Sequence, residues 1–143
     1  MRVGIVGSEK IKFTPEAEQQ ARKIIRELIT PLGTTVISGG CHLGGVDIWA
    51  VEEAKNLGRD YVVHFPKKRT WHGGYKERNQ LIAEDSDIVH CIVVDVVPVN
   101  FVGMEHDECY HCHRTDHVKS GGCWTMHKAK RGFLHIVKNY DPS

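Results

Sequence analysis

Apolar positions recur along the chain with two alternating periods. Short β-rich runs, RVGIV (2–6), TTVIS (34–38), DYVVHF (60–65), DIVHCIVVDVV (87–97) and FLHIV (133–137), are separated by stretches with helical spacing. In the first such stretch Ala17, Ala21, Ile24, Ile25 and Leu28 form one apolar face. Thr14-Pro15 opens it with an N-cap and a proline at the first helical position, and Pro31 with Gly33 ends it. Further helices are predicted over 46–57, with Gly58 as C-cap, over 75–84, and over 124–131, stopped by Gly132. The loops are GSEKIKF, SGGCHLGG, PKKRTWHGG and a long irregular stretch from about Pro98 to Gly122.

Five apolar strands alternating with four helices predict an α/β fold: one Rossmann-like, doubly wound domain over 1–143, with a mostly parallel five-stranded sheet and an insertion after strand four. In such sheets ligands collect at the carboxyl ends of the strands, so the loops after strands one, two and four are expected to share one crevice. A length of 143 residues suits one domain with a core that needs no disulfides.

Composition narrows the partners. With 41% hydrophobic residues, 26% charged residues and a formal charge of +1, the chain lacks the bulk basicity that drives non-specific DNA binding. MRVGIVGS is too short an apolar start for a signal peptide, and no stretch reaches membrane-spanning length. A cytoplasmic protein without membrane contact is expected, in a compartment where clustered thiols hold metal more often than they form disulfides.

Cysteine and histidine are concentrated. Of 5 Cys and 10 His, 7 fall in the 18 positions from His106 to Cys123, where uniform scatter would put about 2. Cys109, Cys112, His117 and Cys123 give C-x2-C-x4-H-x5-C, enough ligands for a closed tetrahedral site, and closed four-ligand sites are structural. A structural Zn2+ is predicted to order the insertion, with His106, His111 and His113 competing with His117 for the fourth position. The ligand order is close to that of the CCHC zinc knuckle, with Tyr110 and Trp124 available to stack on unpaired bases. By contrast, Cys91, His90 and His64 lie in apolar runs and read as core residues.

Gly39, Gly40, Gly44 and Gly45 crowd the turn after strand two. Such a turn lets backbone approach a bound anion, and it also suits a plain tight connection. Ser120-Gly121-Gly122 again precedes a helix and Gly7-Ser8 follows strand one. Three glycine turns in one crevice suggest a nucleotide-sized ligand, and Gly40→Val is expected to block its approach. Lys67, Lys68, Arg69 and Trp71 suit either a phosphate and a base or a solvated turn.

SGGCHLGGVDIWAVEEAKNLG resembles the Ser-Gly-Gly and Gly-x-Asp segment of the SLOG superfamily, especially its YspA and YpsA-related branch, relatives of DprA and of the lonely-guy enzymes. YKERNQLIAEDSDIVHCIV is similar to that branch's Arg-Asn segment and strand, and SGGCWTMHKAKRGFLHIV to its closing helix and strand. The resemblance implies a nucleotide-binding crevice with Ser8, Gly39, Gly40, Asp47, Arg78, Gly121, Gly122 and Thr125 near the ligand. Asp47 also suits a helix-starting carboxylate, and Arg78 a surface cation.

Lonely-guy enzymes cut an N-glycosidic bond and carry Pro-Gly-Gly-x-Gly-Thr-x-Glu-Glu. Here His127 and Lys128 stand at the two glutamates, and neither replaces an anion beside a developing oxocarbenium charge. The sequence therefore predicts binding or sensing of a nucleotide or nucleotide-derived small molecule, in a homo-oligomer with structural zinc. A phosphoribohydrolase-like enzyme with substitute carboxylates at Glu77, Glu84 or Asp47, and a single-stranded nucleic-acid binder, are the alternatives; the catalytic residues are left open.

Overall fold

The Thr14 hydroxyl accepts the Ala17 N–H at 3.1 Å and Pro15 follows it, so α1 (Pro15–Ile29) starts where the capping pair predicts. Its buried stripe, Ala17, Ala21, Ile25 and Ile29, faces the sheet, with Ile24 and Leu28 half-buried beside it. The structure, a computed structural model, describes residues 1–139; positions 140–143 of the expected domain lie outside the described residues.

Five strands, β1 (Arg2–Gly7), β2 (Thr35–Gly39), β3 (Asp60–His64), β4 (Ile88–Val94) and β5 (Gly132–Val137), form one sheet in the order β3-β2-β1-β4-β5. Every pairing is parallel, more regular than the mostly parallel sheet expected. All seven residues of β4 are buried, as a central strand covered on both faces requires. One face packs Val3, Ile5, Val36 and Ile92 against α1 and α2 (Val46–Leu57). The other packs Val6, Ile37, Cys91 and Val93 against Ile82 of α3 (Lys76–Asp85) and Cys123 and Met126 of α4 (Gly121–Lys128). Strand order reverses between β1 and β4, the place where a doubly wound sheet opens a crevice.

Element ends differ from the sequence expectation where distant groups set them. Strand four was expected to reach Val97, but it stops at Val94. The Asp95 carboxylate accepts the N–H groups of Val96 (2.8 Å) and Asn139 (2.7 Å), which turns the chain out of the sheet. The last helix begins at Gly121 rather than Trp124, because the Ser120 hydroxyl caps the Gly122 N–H at 3.1 Å and draws both glycines into the first turn. A 3₁₀ turn (Lys10–Lys12) interrupts the first loop, and an irregular helical turn (Trp71–Tyr75), with Gly73 at φ 83°, leads into α3.

Residues 95–120 carry no strand; their one ladder contact is an antiparallel bridge between Cys109 and Arg114. Among the described residues no helix is long and apolar enough to cross a membrane.

Candidate functional site: a polar crevice walled by a cysteine cluster

A cavity of about 610 Å³ opens at the carboxyl end of the sheet. Ser8 and Glu9 reach it from the loop after β1, Cys41 from the loop after β2, and Asp47 from the first turn of α2. Trp71, Tyr75, Arg78 and Asn79 come from the irregular turn and α3. Tyr110, His111, Lys119 and the start of α4 from Gly121 to Thr125 close the far side. The loops after strands one, two and four thus share one crevice.

Among the described residues, three buried side-chain polar atoms have no hydrogen-bond partner: Ser8 Oγ, Arg78 Nη1 and Thr125 Oγ1. All three residues line this cavity. An unsatisfied buried polar group costs about 1–3 kcal/mol, so three on one wall mark a place where a partner belongs. Arg78 is anchored by its Nε donating to Asn79 Oδ1 at 2.7 Å, and its guanidinium stands 5.5 Å from the centre of the Tyr75 ring.

Of the sequence-predicted ligand residues, Ser8, Asp47, Arg78, Gly121, Gly122 and Thr125 line the cavity, whereas Gly39 and Gly40 do not. Gly39 serves from behind: a Cβ there would fall 2.5 Å from Arg78 Nη1 and 3.0 Å from Asp47 Oδ2, so its bareness makes room for both charged groups. The space of a Gly40 Cβ is taken by the exposed Phe65 ring, so Gly40→Val displaces that ring rather than closing the crevice. The first amide of α2 is engaged, since Val46 N–H donates to the Ser8 carbonyl at 3.2 Å. The glycine turn open to the crevice is instead that of α4, where a Cβ on Gly121 would meet nothing within 4 Å. Gly121→Val is therefore expected to leave the fold intact and to lower affinity for a phosphate-bearing ligand more than tenfold, roughly the worth of a blocked charge-assisted contact. Calorimetric titration alongside a thermal melt checks both halves.

The wall is electrostatically mixed. Burial pushes the Asp47 carboxyl up to about 7, with Arg78 opposing the shift. Burial also lowers the Lys12 ammonium, which Glu9 counters, and Lys12 Nζ donates to the Lys119 carbonyl at 3.2 Å. The opposite side is aromatic: Trp71 and Trp124 meet edge to face at 5.2 Å, and Lys119 Nζ stands 5.0 Å from the centre of the Tyr110 ring.

Directly behind this wall, one ligand atom each from Cys109, Cys112, His117 and Cys123 lies within 4.8 Å of every other, a cluster able to hold a metal ion. Its histidine is oriented: His117 Nδ1 bonds Asp116 Oδ1 at 2.8 Å, which turns Nε2 toward the Cys123 sulfur, 3.7 Å away. Arg114 in turn pairs with Asp116. The competing histidines are elsewhere. His111 lines the cavity, His106 packs against Tyr110, and His113, at φ 56°, is not part of the cluster.

Burial and the neighbouring Cys123 and Cys109 sulfurs push the Cys112 thiol up. Contact with Cys91 and burial do the same to Cys123. Burial also opposes ionisation of Cys109, but peptide N–H groups and His117 bring its thiol down to about 7. Three thiols this close cannot all ionise without a cation between them, which is the donor chemistry of a tetrahedral thiolate site.

Sequence reasoning missed Glu9, Lys12, Tyr75, Asn79 and Lys119 on the cavity wall. Glu9, Lys12 and Lys119 arrive through loop packing, whereas Tyr75 and Asn79 belong to the Arg-Asn segment, of which only Arg78 was assigned to the site. Lys67, Lys68 and Arg69 stand outside the cavity, and only Trp71 of that loop lines it. Cys91 keeps its place in the core, but its sulfur lies 3.9 Å from Cys123, at the edge of the cluster. His90 is hydrogen-bonded to His135 (2.9 Å) and His64 to Asp85 (2.9 Å), so both read as structural.

No protein-family model and no curated protein matches the chain. Among solved structures it is similar to the molybdenum cofactor carrier protein of Chlamydomonas reinhardtii. In one structure of that protein the identity is 20% and the TM-score 0.50, with 63% of this chain and 60% of that chain covered. In a second the identity is 20% and the TM-score 0.48, with 63% and 59% covered. The chain thus spans about three fifths of the length of the structures it matches. The likeness is one of fold: this chain has a Rossmann-like α/β architecture with a ligand-sized crevice at the strand ends and a Cys3His cluster beside it.

Proposed function

We propose that the protein binds or senses a nucleotide or nucleotide-derived small molecule in this crevice, with a zinc ion held by Cys109, Cys112, His117 and Cys123. The observation that carries the reading is the convergence of the three partnerless polar atoms of Ser8, Arg78 and Thr125 on one cavity. A phosphate accepts from such donors, Gly121 at the start of α4 lies on the same wall, and the Trp71–Trp124 pair suits a flat heterocycle. The SLOG-like Ser-Gly-Gly and Arg-Asn segments supply Asp47 and Arg78 to this place, which supports that branch of the reading. Self-association belongs to the same reading, through an insertion whose Val99, Val102 and Met104 side chains are exposed.

Thr125→Val separates binding from folding. Its hydroxyl is buried without a partner, so its loss should not destabilise the free protein, while affinity for AMP should fall about tenfold with the lost contact. Isothermal titration of both forms decides the matter, and equal affinities would remove Thr125 from the site.

The expected outcome for catalysis is binding without turnover. His127 lies beside Cys112 (3.3 Å) and Lys128 over Trp124 (5.4 Å), and Glu77 and Glu84 are off the cavity wall. A hydrolase reading draws on one observation, that Asp47 and Glu9 do line the cavity. Chromatography of AMP incubated with the protein tests it: no free adenine is expected. Steady release that disappears in Asp47→Asn would establish the enzyme instead.

A further inference from the structure

We infer that the ligand is a dinucleotide, with its second ring seated against Phe65 in a cavity adjoining the first; this rests on the nucleotide reading above. The second cavity, about 510 Å³, is lined by Phe65, Lys67, Lys76, Glu77, Arg78 and Leu81, among others. Arg78 is the one residue that lines both. Its guanidinium is nine-tenths buried and keeps Nη1 without a partner, so a fixed positive charge stands at the junction of the two spaces. The first cavity carries the aromatic pair of Trp71 and Trp124 on its wall. Continuing past Arg78, the chain offers a second aromatic surface.

That surface is built rather than incidental. Phe65 is 69% exposed, an unusual position for a large apolar ring, and one side of it rests on Gly40, where any Cβ would collide with the ring carbons. Leu81, 49% exposed, lies along the same cavity. Lys67, Lys76 and Arg78 against Glu77 leave the second cavity net positive by two charges. Ring, phosphate and ring therefore match aromatic pair, Arg78 and Phe65 in order. A mononucleotide would fill only the first part and leave the Phe65 face bare. Stacking one base on an aromatic side chain is worth about tenfold or more in affinity.

The test is a calorimetric titration of the purified protein with AMP, with diadenosine diphosphate, whose adenosines are joined 5′ to 5′, and with the 3′–5′ dinucleotide ApA. Diadenosine diphosphate is expected to bind at least about tenfold more tightly than AMP. Phe65→Ala, a change at an exposed ring that should not disturb the fold, should erase that gain and leave AMP affinity unchanged. If ApA shows the gain instead, the dinucleotide class stands with a single bridging phosphate. Equal affinity for all three ligands, or a gain that survives Phe65→Ala, overturns the inference. AMP binding without any gain retires only the second subsite, whereas failure of all three to bind retires the nucleotide reading with it.

Discussion

Replacing Asp47 by asparagine is expected to stabilise the ligand-free protein at pH 8 by as much as about 4 kcal/mol and to change little near pH 4. Asp47 is 8% exposed, and burial raises its carboxyl from the ordinary 3.8 to about 7. The folded state therefore holds this proton more tightly than the unfolded chain. Between pH 4 and 7 the unfolded chain is the more ionised, so stability falls as the pH rises through that window and is flat above it. Asparagine removes the buried charge and with it this carboxylate's part of the slope. Urea denaturation of both proteins at pH 4.5 and pH 8 reads the difference directly, and a gap that does not widen with pH would contradict the assignment.

On the zinc reading proposed above, removing the metal is expected to have the second large effect. Tyr110 and His111 sit between Cys109 and Cys112, and Gly122, Trp124 and Thr125 flank Cys123, so the ligands and the cavity wall are the same piece of chain. The segment before α4 is otherwise held by the Cys109–Arg114 bridge, Val118 N–H on the Val94 carbonyl at 2.8 Å, Lys12 on the Lys119 carbonyl, His127 beside Cys112, and the packing of Cys109, Cys112 and Val118 against the core. Zinc contributes about 10–16 kcal/mol to the folding of small zinc-dependent peptides. Chelation, or Cys112→Ser at the one half-buried ligand, should expose residues 98–120 to protease and lower nucleotide affinity more than tenfold, while β1 to β4 stay folded. A metal-free protein with unchanged protease resistance and affinity would contradict this.

Elements fixed by local chemistry were legible in the sequence. Thr14-Pro15 opens α1 and Gly58, at φ 68°, closes α2, because a cap acts within one turn of its own position. The end of β4 was not legible, since it depends on Asp95 meeting Asn139 across 44 positions. The same division runs through the site. Cys109, Cys112 and Cys123 announce themselves by spacing, but the choice of His117 over its neighbours follows from the Asp116 contact and the left-handed turn at His113. Gly40 carries the sequence signature of an anion-binding turn, yet the fold brings Phe65 over it. Lys12 reaches the crevice only because a 3₁₀ turn, with no marker of its own, carries it there.

Native mass spectrometry of the protein isolated without added ligand tests the central claim most directly. One zinc per chain and one phosphate-bearing nucleotide-derived molecule are expected on the wild type, with the small molecule lost and the zinc kept in Gly121→Val. A molecule that carries no phosphate, or one retained undiminished by Gly121→Val, would contradict the account.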